Sequence, residues 1–345
     1  MTRLLVATNE DLLVAIAGAG GWRTEARLAG SGALCLAADP SRPGLVYCGT
    51  DQGGLWRSDD EGGSWQQLAD GIAGEQVTAV AVSPDGVVYA GTEPSALHRS
   101  EDGGETWREL PGLRALPTAP TWSFPPRPHT SHVRQVLPDL FHPDRLVVCI
   151  EAGALVRSLD GGETWIDRVP DGPMDTHTLR AHPLVPDRLC SAAGDGFGRR
   201  HGYAMTASGY NESADGGATW QRPDGGLGDL YLWGLAIDAG DPDVMVASAS
   251  TSPQTAHDPG SASSTVFRRS HDSDWEEVRE GLPGPDGCVA AVLAADSAEP
   301  GVFYAACNQG LHRSADGGLS WSPLGLDWPD RYRGQRITDL LVLPA

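Results

Sequence analysis

An eight-residue signature recurs along the chain and dictates how it can be organised. Ser58-Asp-Asp-Glu-Gly-Gly-Ser-Trp65 returns at 100–107, 158–165, 213–220 and 314–321, each time as Ser-x-Asp-x-Gly-x-Ser/Thr-Trp. A worn copy two residues shorter, Ser270-His-Asp-Ser-Asp-Trp275, and a lone Trp22 after Gly20-Gly21 bring the tryptophans to seven. Their successive spacings are 43, 42, 58, 55, 55 and 46 residues. That period suits a unit of four short strands, one blade of a β-propeller.

One unit can be read in full. Val77–Val82 alternates as a first strand, Ser83-Pro-Asp-Gly86 turns, and Val87–Thr92 and Ala96–Ser100 follow as second and third strands, with Trp107 opening the fourth. The first unit lacks its first strand, since Leu4–Thr8 already matches a second one. The missing strand stands at the other end: Ile337-Thr-Asp-Leu-Leu-Val-Leu-Pro344 matches Val77-Thr-Ala-Val-Ala-Val-Ser-Pro84. The expectation is an all-β, seven-bladed propeller over 1–345, one domain of four antiparallel strands per blade, with 337–343 completing blade one and leaving no open edge.

The signature resembles the Asp-box, or BNR repeat, of sialidases, xyloglucan-cleaving glycosidases, sortilin-type receptors and the photosystem II assembly factor. A structural role explains it: the Asp accepts main-chain N–H groups of its own turn, Gly takes positive φ, and Trp fills the gap between sheets. Sialidases have six blades, an arginine triad and a Tyr–Glu pair, none of which is matched here. Xyloglucan-cleaving enzymes bind between two propellers, and this chain has length for one. A single ring resembles most the assembly factor and its uncharacterised bacterial relatives, some named as glycosyl hydrolase-like on the boxes alone.

Composition excludes other classes. Asp and Glu number 46 against 25 basic residues, all Arg, for a net charge of -21. A nucleic-acid binder needs a basic stripe, and no apolar run approaches the roughly 18–20 residues of a membrane helix. The apolar run 12–21 follows Glu10 and Asp11, the wrong charge for a signal peptide. The six cysteines lie in apolar strand-like segments and read as reduced thiols, so a cytoplasmic location is expected.

Insertions locate the candidate site. In a propeller the connections from fourth to first strand and from second to third share one face. The long connections 111–131, 194–206, 249–264 and 326–336 all fall on it, as expected of a binding face. The position of Thr78 is Leu34, Arg134, His177, Trp233, Ala291 and Thr338 in the other blades. Two residues earlier stand Gly32, Gln76, His132, Asp175, Tyr231, Val289 and Arg336. Second-strand exits align Asn9, Asp51, Glu93, Asp195, Ser250 and Asn308, with Glu151 displaced by one. A lone His or Arg at a strand end is ordinarily solvated or hydrogen-bonded; the convergence over blades four to six is what marks a site.

Glu151, Asp175, His177 and Asp195 are the candidate acids and bases. His132, Arg134, Tyr231, Trp233 and Asn308 are the candidate ligand contacts, with Arg134 holding an anionic group and the aromatics stacking on a ring. No cofactor is expected; His132, His177 and Glu151 or Asp195 form the one donor set suited to a divalent metal, without a local motif. The reading is a funnel for a small polar or sugar-like ligand, with glycosidase- or lyase-like turnover if it is an enzyme. The alternative is a non-catalytic scaffold that docks a protein at the decorated mouth. A narrow polar pocket roofed by 111–131 favours the first, a broad apolar patch the second.

Overall fold

Each signature closes the turn between the third and fourth strands of a sheet. In all five intact copies the Ser hydroxyl donates to the Asp carboxylate at 2.7–2.8 Å. The same oxygen accepts the Gly N–H at 2.8–3.0 Å. The Asp then accepts the N–H of the Ser or Thr four residues on, at 2.8–3.0 Å. At Gly162 φ is +94°, and a Cβ would lie 2.5 Å from Leu110 of the preceding blade, so conformation and space both require glycine.

The computed structural model describes every residue except 43, 69–71, 73–75 and 203–206; the last four residues of the expected connection 194–206 are thus outside the described residues. Seven antiparallel sheets form a ring. Their innermost strands are Asp339–Leu343, Ala33–Ala38, Gln76–Val82, Val133–Pro138, Thr176–His182, Tyr231–Ile237 and Val292–Ala295. Each meets the inner strand of both neighbouring blades, and the last of them meets the first. In blades four and five the fourth strand is reduced to one bridge, Arg157 to Ile166 and Glu212 to Gln221. Pro170 and Pro223 follow soon after, and proline cannot donate to a ladder.

Ring closure pairs the two ends of the chain, with Arg3 opposite Leu343 and Ala7 opposite Asp339. Seven apolar clusters fill the gaps between blades, and each receives one of the seven spaced tryptophans: 22, 65, 107, 165, 220, 275 and 321. At roughly 150–250 Å² per buried aromatic and about 25 cal/mol per Å², each offsets a few residues' worth of ordering entropy. The six cysteines are all buried and free. Among the described residues no helix is long and apolar enough to cross a membrane.

Removal of residues 337–345 leaves the edge of Arg3–Ala7 unpaired. The truncated chain is expected to melt at lower temperature and to self-associate in light scattering; a monomer with an unchanged midpoint would contradict closure. Ser158→Ala strands the buried N–H of Gly162 and should cost about 1–3 kcal/mol. Urea denaturation reads this, and no change in the midpoint would show that the Ser hydroxyl is dispensable in the turn.

Candidate functional site

A β-bulge is built into five inner strands, one or two residues from the start of each. The ladder skips Leu34, Thr78, Arg134 and His177 in blades two to five, and Trp233 with Gly234 in blade six. Bulges re-aim side chains, and these are the residues that sequence alignment put in register. A neighbouring blade hydrogen-bonds to the disrupted stretch. Thr338 donates to the Ala33 carbonyl at 3.1 Å, Thr78 to Val133 at 2.7 Å and His177 Nδ1 to Leu232 at 2.6 Å.

The bulges turn Arg134, His177 and Trp233 into the channel. The Arg134 guanidinium lies 4.5 Å over the Trp233 ring, and its Nε is 3.7 Å from Glu151 Oε2. His132 Nε2 meets the same Glu151 oxygen at 2.9 Å. Its Nδ1 stands 3.6 Å from Glu93, which Arg127 grips through two bonds of 2.8 and 2.5 Å. Phe124 sets its ring edge-on to His132 at 4.8 Å. Phe124 and Arg127 come from the insertion 111–131, so that segment does roof the pocket, while its Trp122 is buried in the core between blades three and four. The cavity measures about 510 Å³ including its open mouth and is also lined by Arg336.

A second group stands beside it. His177 is 2% exposed; its Nε2 lies 3.5 Å from Asp175 Oδ1, and the Ala152 N–H holds that oxygen at 2.9 Å. The His177 ring contacts Tyr231 at 4.6 Å and Trp233 at 4.9 Å. Tyr231 shares a 3.0 Å hydrogen bond with His257 Nε2, and His257 meets Trp233 edge-on at 4.2 Å. Below the Arg134–Trp233 layer the channel continues, lined by His177, Arg180 and Asp339.

Two candidates stand apart. Asn308 is buried with its amide fully engaged: Val289 N–H donates to Oδ1, and Nδ2 donates to the carbonyls of Gly287 and Arg333. It ties the last connection down through the Arg333 carbonyl. Asp195 is wholly buried, accepts the N–H groups of Met174 and Asp175, and does not line the pocket. Conversely Glu93, Arg127, Arg336 and His257 join the site. Alignment points to Glu93 and Arg336; Arg127 and His257 lie in the insertions 111–131 and 249–264, without aligned counterparts.

Electrostatics divide the carboxyls. Burial pushes Glu151 up, but His132, His177 and Arg134 outweigh it and hold the group well below the ordinary carboxylate range. Asp195 is driven to about 7 by burial and by the charge of Asp175. Burial opposes a charge on His177, yet Asp175 and Glu151 prevail and its shift is upward. Burial, then Arg336 and His177, depress His257 to about 3, so it is neutral at physiological pH.

No protein-family model matches the chain, and no curated protein is similar to it. Solved structures are. The chain is similar to the GH74 xyloglucanase from Xanthomonas campestris at 15% identity and a TM-score of 0.66, over 93% of this chain and 52% of that one. The likeness to the GH74 enzyme of Niastella koreensis is 14% identity and a TM-score of 0.65, over 92% and 54%. YCF48 bound to D1 peptide gives 16% and 0.57, over 90% and 92%. The chain thus spans about half the length of the GH74 structures. What these neighbours share with it is the fold.

Because Asp195 binds its proton more tightly folded than unfolded, it contributes stability that declines as pH rises from about 4, the ordinary aspartate value, towards 7. Asp195→Asn should flatten that decline: compared with wild type, the variant gains in thermal midpoint between pH 5 and pH 8. A difference independent of pH would mean that Asp195 ionises normally.

Proposed function

We propose that this propeller binds a small polar, sugar-like ligand in the funnel roofed by 111–131 and does not hydrolyse it. The observation that carries the reading is Arg134, laid flat on Trp233 with only a 3.7 Å approach to Glu151. A guanidinium so held presents free donors to ligand oxygens, beside an aromatic wall formed with Phe124. The polar lining and the roof favour a small molecule over a broad docking face. The GH74 neighbours, xyloglucanase among them, give sugars as the first class to test.

Hydrolysis of a glycoside needs a carboxylic acid that keeps its proton near neutral pH, opposite a carboxylate. In the pocket Glu151 is held ionised and Glu93 is bound to Arg127. The carboxyl raised to about 7, Asp195, is sealed away. Binding without turnover fits this distribution. The protein-docking alternative has a neighbour in YCF48 with its D1 peptide, and the same experiment examines it.

Calorimetric titration with xyloglucan-derived oligosaccharides is expected to show binding without release of reducing ends. Arg134→Ala should weaken it about 10–100-fold, the worth of a hydrogen bond from a charged group, with an unchanged thermal midpoint. Reducing-end release by the wild type would overturn the non-catalytic reading. Binding of a peptide and of none of the sugars would give the site to the docking alternative.

A further inference from the structure

The geometry points to a site for a divalent first-row transition metal formed by Glu151, Asp175 and His177, an inference that goes beyond the sugar-binding reading and does not depend on it. One ligand atom from each of the three lies within 4.8 Å of the others. His177 Nδ1 is 2.6 Å from the Leu232 carbonyl. A carbonyl only accepts, so the proton sits on Nδ1 and Nε2 is the atom presented to the carboxylates. Metal-binding imidazoles are oriented in this way, by donating the other N–H to a carbonyl.

Both carboxylates are positioned as well. Asp175 Oδ1 is fixed by the Ala152 N–H at 2.9 Å and Glu151 Oε2 by His132 at 2.9 Å. The side chains of Glu151 and Asp175 are 12% and 16% exposed. Nε2 to Oδ1 is 3.5 Å, a long contact for a hydrogen bond, and a metal cation seated between the two carboxylates would take the place of the proton on this nitrogen. One nitrogen and two carboxylate oxygens suit Mn(II), Fe(II), Co(II) or Zn(II) better than calcium, which prefers an all-oxygen shell. Three protein ligands leave positions open to water or to ligand oxygens.

Two other groups have the same composition, Asp139–His142–Asp187 and Asp241–Asp243–His271. Their histidine side chains are 44% and 67% exposed, and Arg145 already pairs with Asp187 at 2.6 Å. They lack a buried imidazole and provide the controls.

The full chain, cleared of metal with a chelator, is titrated with Zn²⁺ and separately with Mn²⁺, and the d–d absorption of added Co²⁺ reports coordination. One ion per chain is expected. His132→Ala, which removes the imidazole that orients Glu151, should weaken it about 10–100-fold. His177→Ala should abolish it, while His142→Ala and His271→Ala leave it intact. If His177→Ala fails to fold, judged by its thermal midpoint, Asp175→Asn decides. Absence of stoichiometric uptake by the wild-type chain, uptake that survives loss of His177, or uptake lost with His142 or His271 overturns the site. No sugar enters the measurement, so failure of the binding reading leaves its outcome untouched.

Discussion

A side-chain donor in one blade, aimed at a main-chain carbonyl of the next, recurs at six of the seven blade junctions. Cys35 reaches Val77, Gln135 reaches Leu179 and Ser248 reaches Ala291, alongside the pairs from Thr338, Thr78 and His177. In four of these the acceptor directly precedes the bulge residue, where the ladder is broken and the carbonyl needs another partner. Left unmet in the dry interior, each such carbonyl would cost about 1–3 kcal/mol. At four of the five bulges the preceding blade supplies that donor; at the fifth, beside His177, Gln135 instead bonds the Leu179 carbonyl further along the strand. Site and scaffold are coupled through this bond, most directly at His177, whose Nδ1 joins two blades while its Nε2 faces the carboxylates.

Protonation sets the two ends of the stability range. The signature aspartates 60, 102, 160, 215 and 316 are held below their ordinary value by hydrogen bonds from neighbouring Ser, Thr and main-chain groups; at 215 and 316 burial is the largest single effect and pushes upward, but the bonds together outweigh it. Their contribution is present above about pH 4 and is lost as pH falls through the depressed folded value. His177 and Asp195 act in the opposite sense, since both favour the protonated form in the folded chain and lose that contribution as pH rises. The hairpins and Glu151 weaken in acid, whereas His177 and Asp195 weaken toward alkali.

Much of the ring was legible because it rests on residues with few alternatives. Seven spaced tryptophans gave the number of blades, and the match between 337–344 and 77–84 gave the closure, both consequences of repetition. The Asp of the signature was read correctly as a turn acceptor, but the buried Ser carries an equal share by holding the Gly N–H, which a motif with a structural Asp at its centre did not suggest. At the site, alignment found Arg134, His177 and Trp233 without knowing that a bulge turns them inward; register can be aligned even where the alternation it is thought to rest on is broken. Asn308 and Asp195 occupy equivalent strand exits, and both spend hydrogen bonds on the adjoining backbone. A polar residue at a strand exit can serve a ligand or the adjoining loop, and only the hydrogen bonds tell them apart. His257 arrived on an insertion with no counterpart to align.

The pocket at the mouth differs from the molecule as a whole in charge. The chain carries a net charge of -21, yet the pocket gathers Arg127, Arg134 and Arg336 against Glu93 and Glu151. Low-dielectric walls concentrate such a field, which is the electrostatic side of the proposed preference for oxygen-rich ligands. Deeper in, the balance reverses around His177, where Glu151 and Asp175 converge. Glu151 belongs to both zones, since Arg134 and His132 approach it from one and His177 from the other. A ligand that draws Arg134 away from Glu151 would thereby strengthen the negative field at His177, and a cation seated there would release Arg134 for the ligand. The proposed ligand pocket and the proposed metal site are thus joined by one carboxylate, and an occupant of either would favour the other through it.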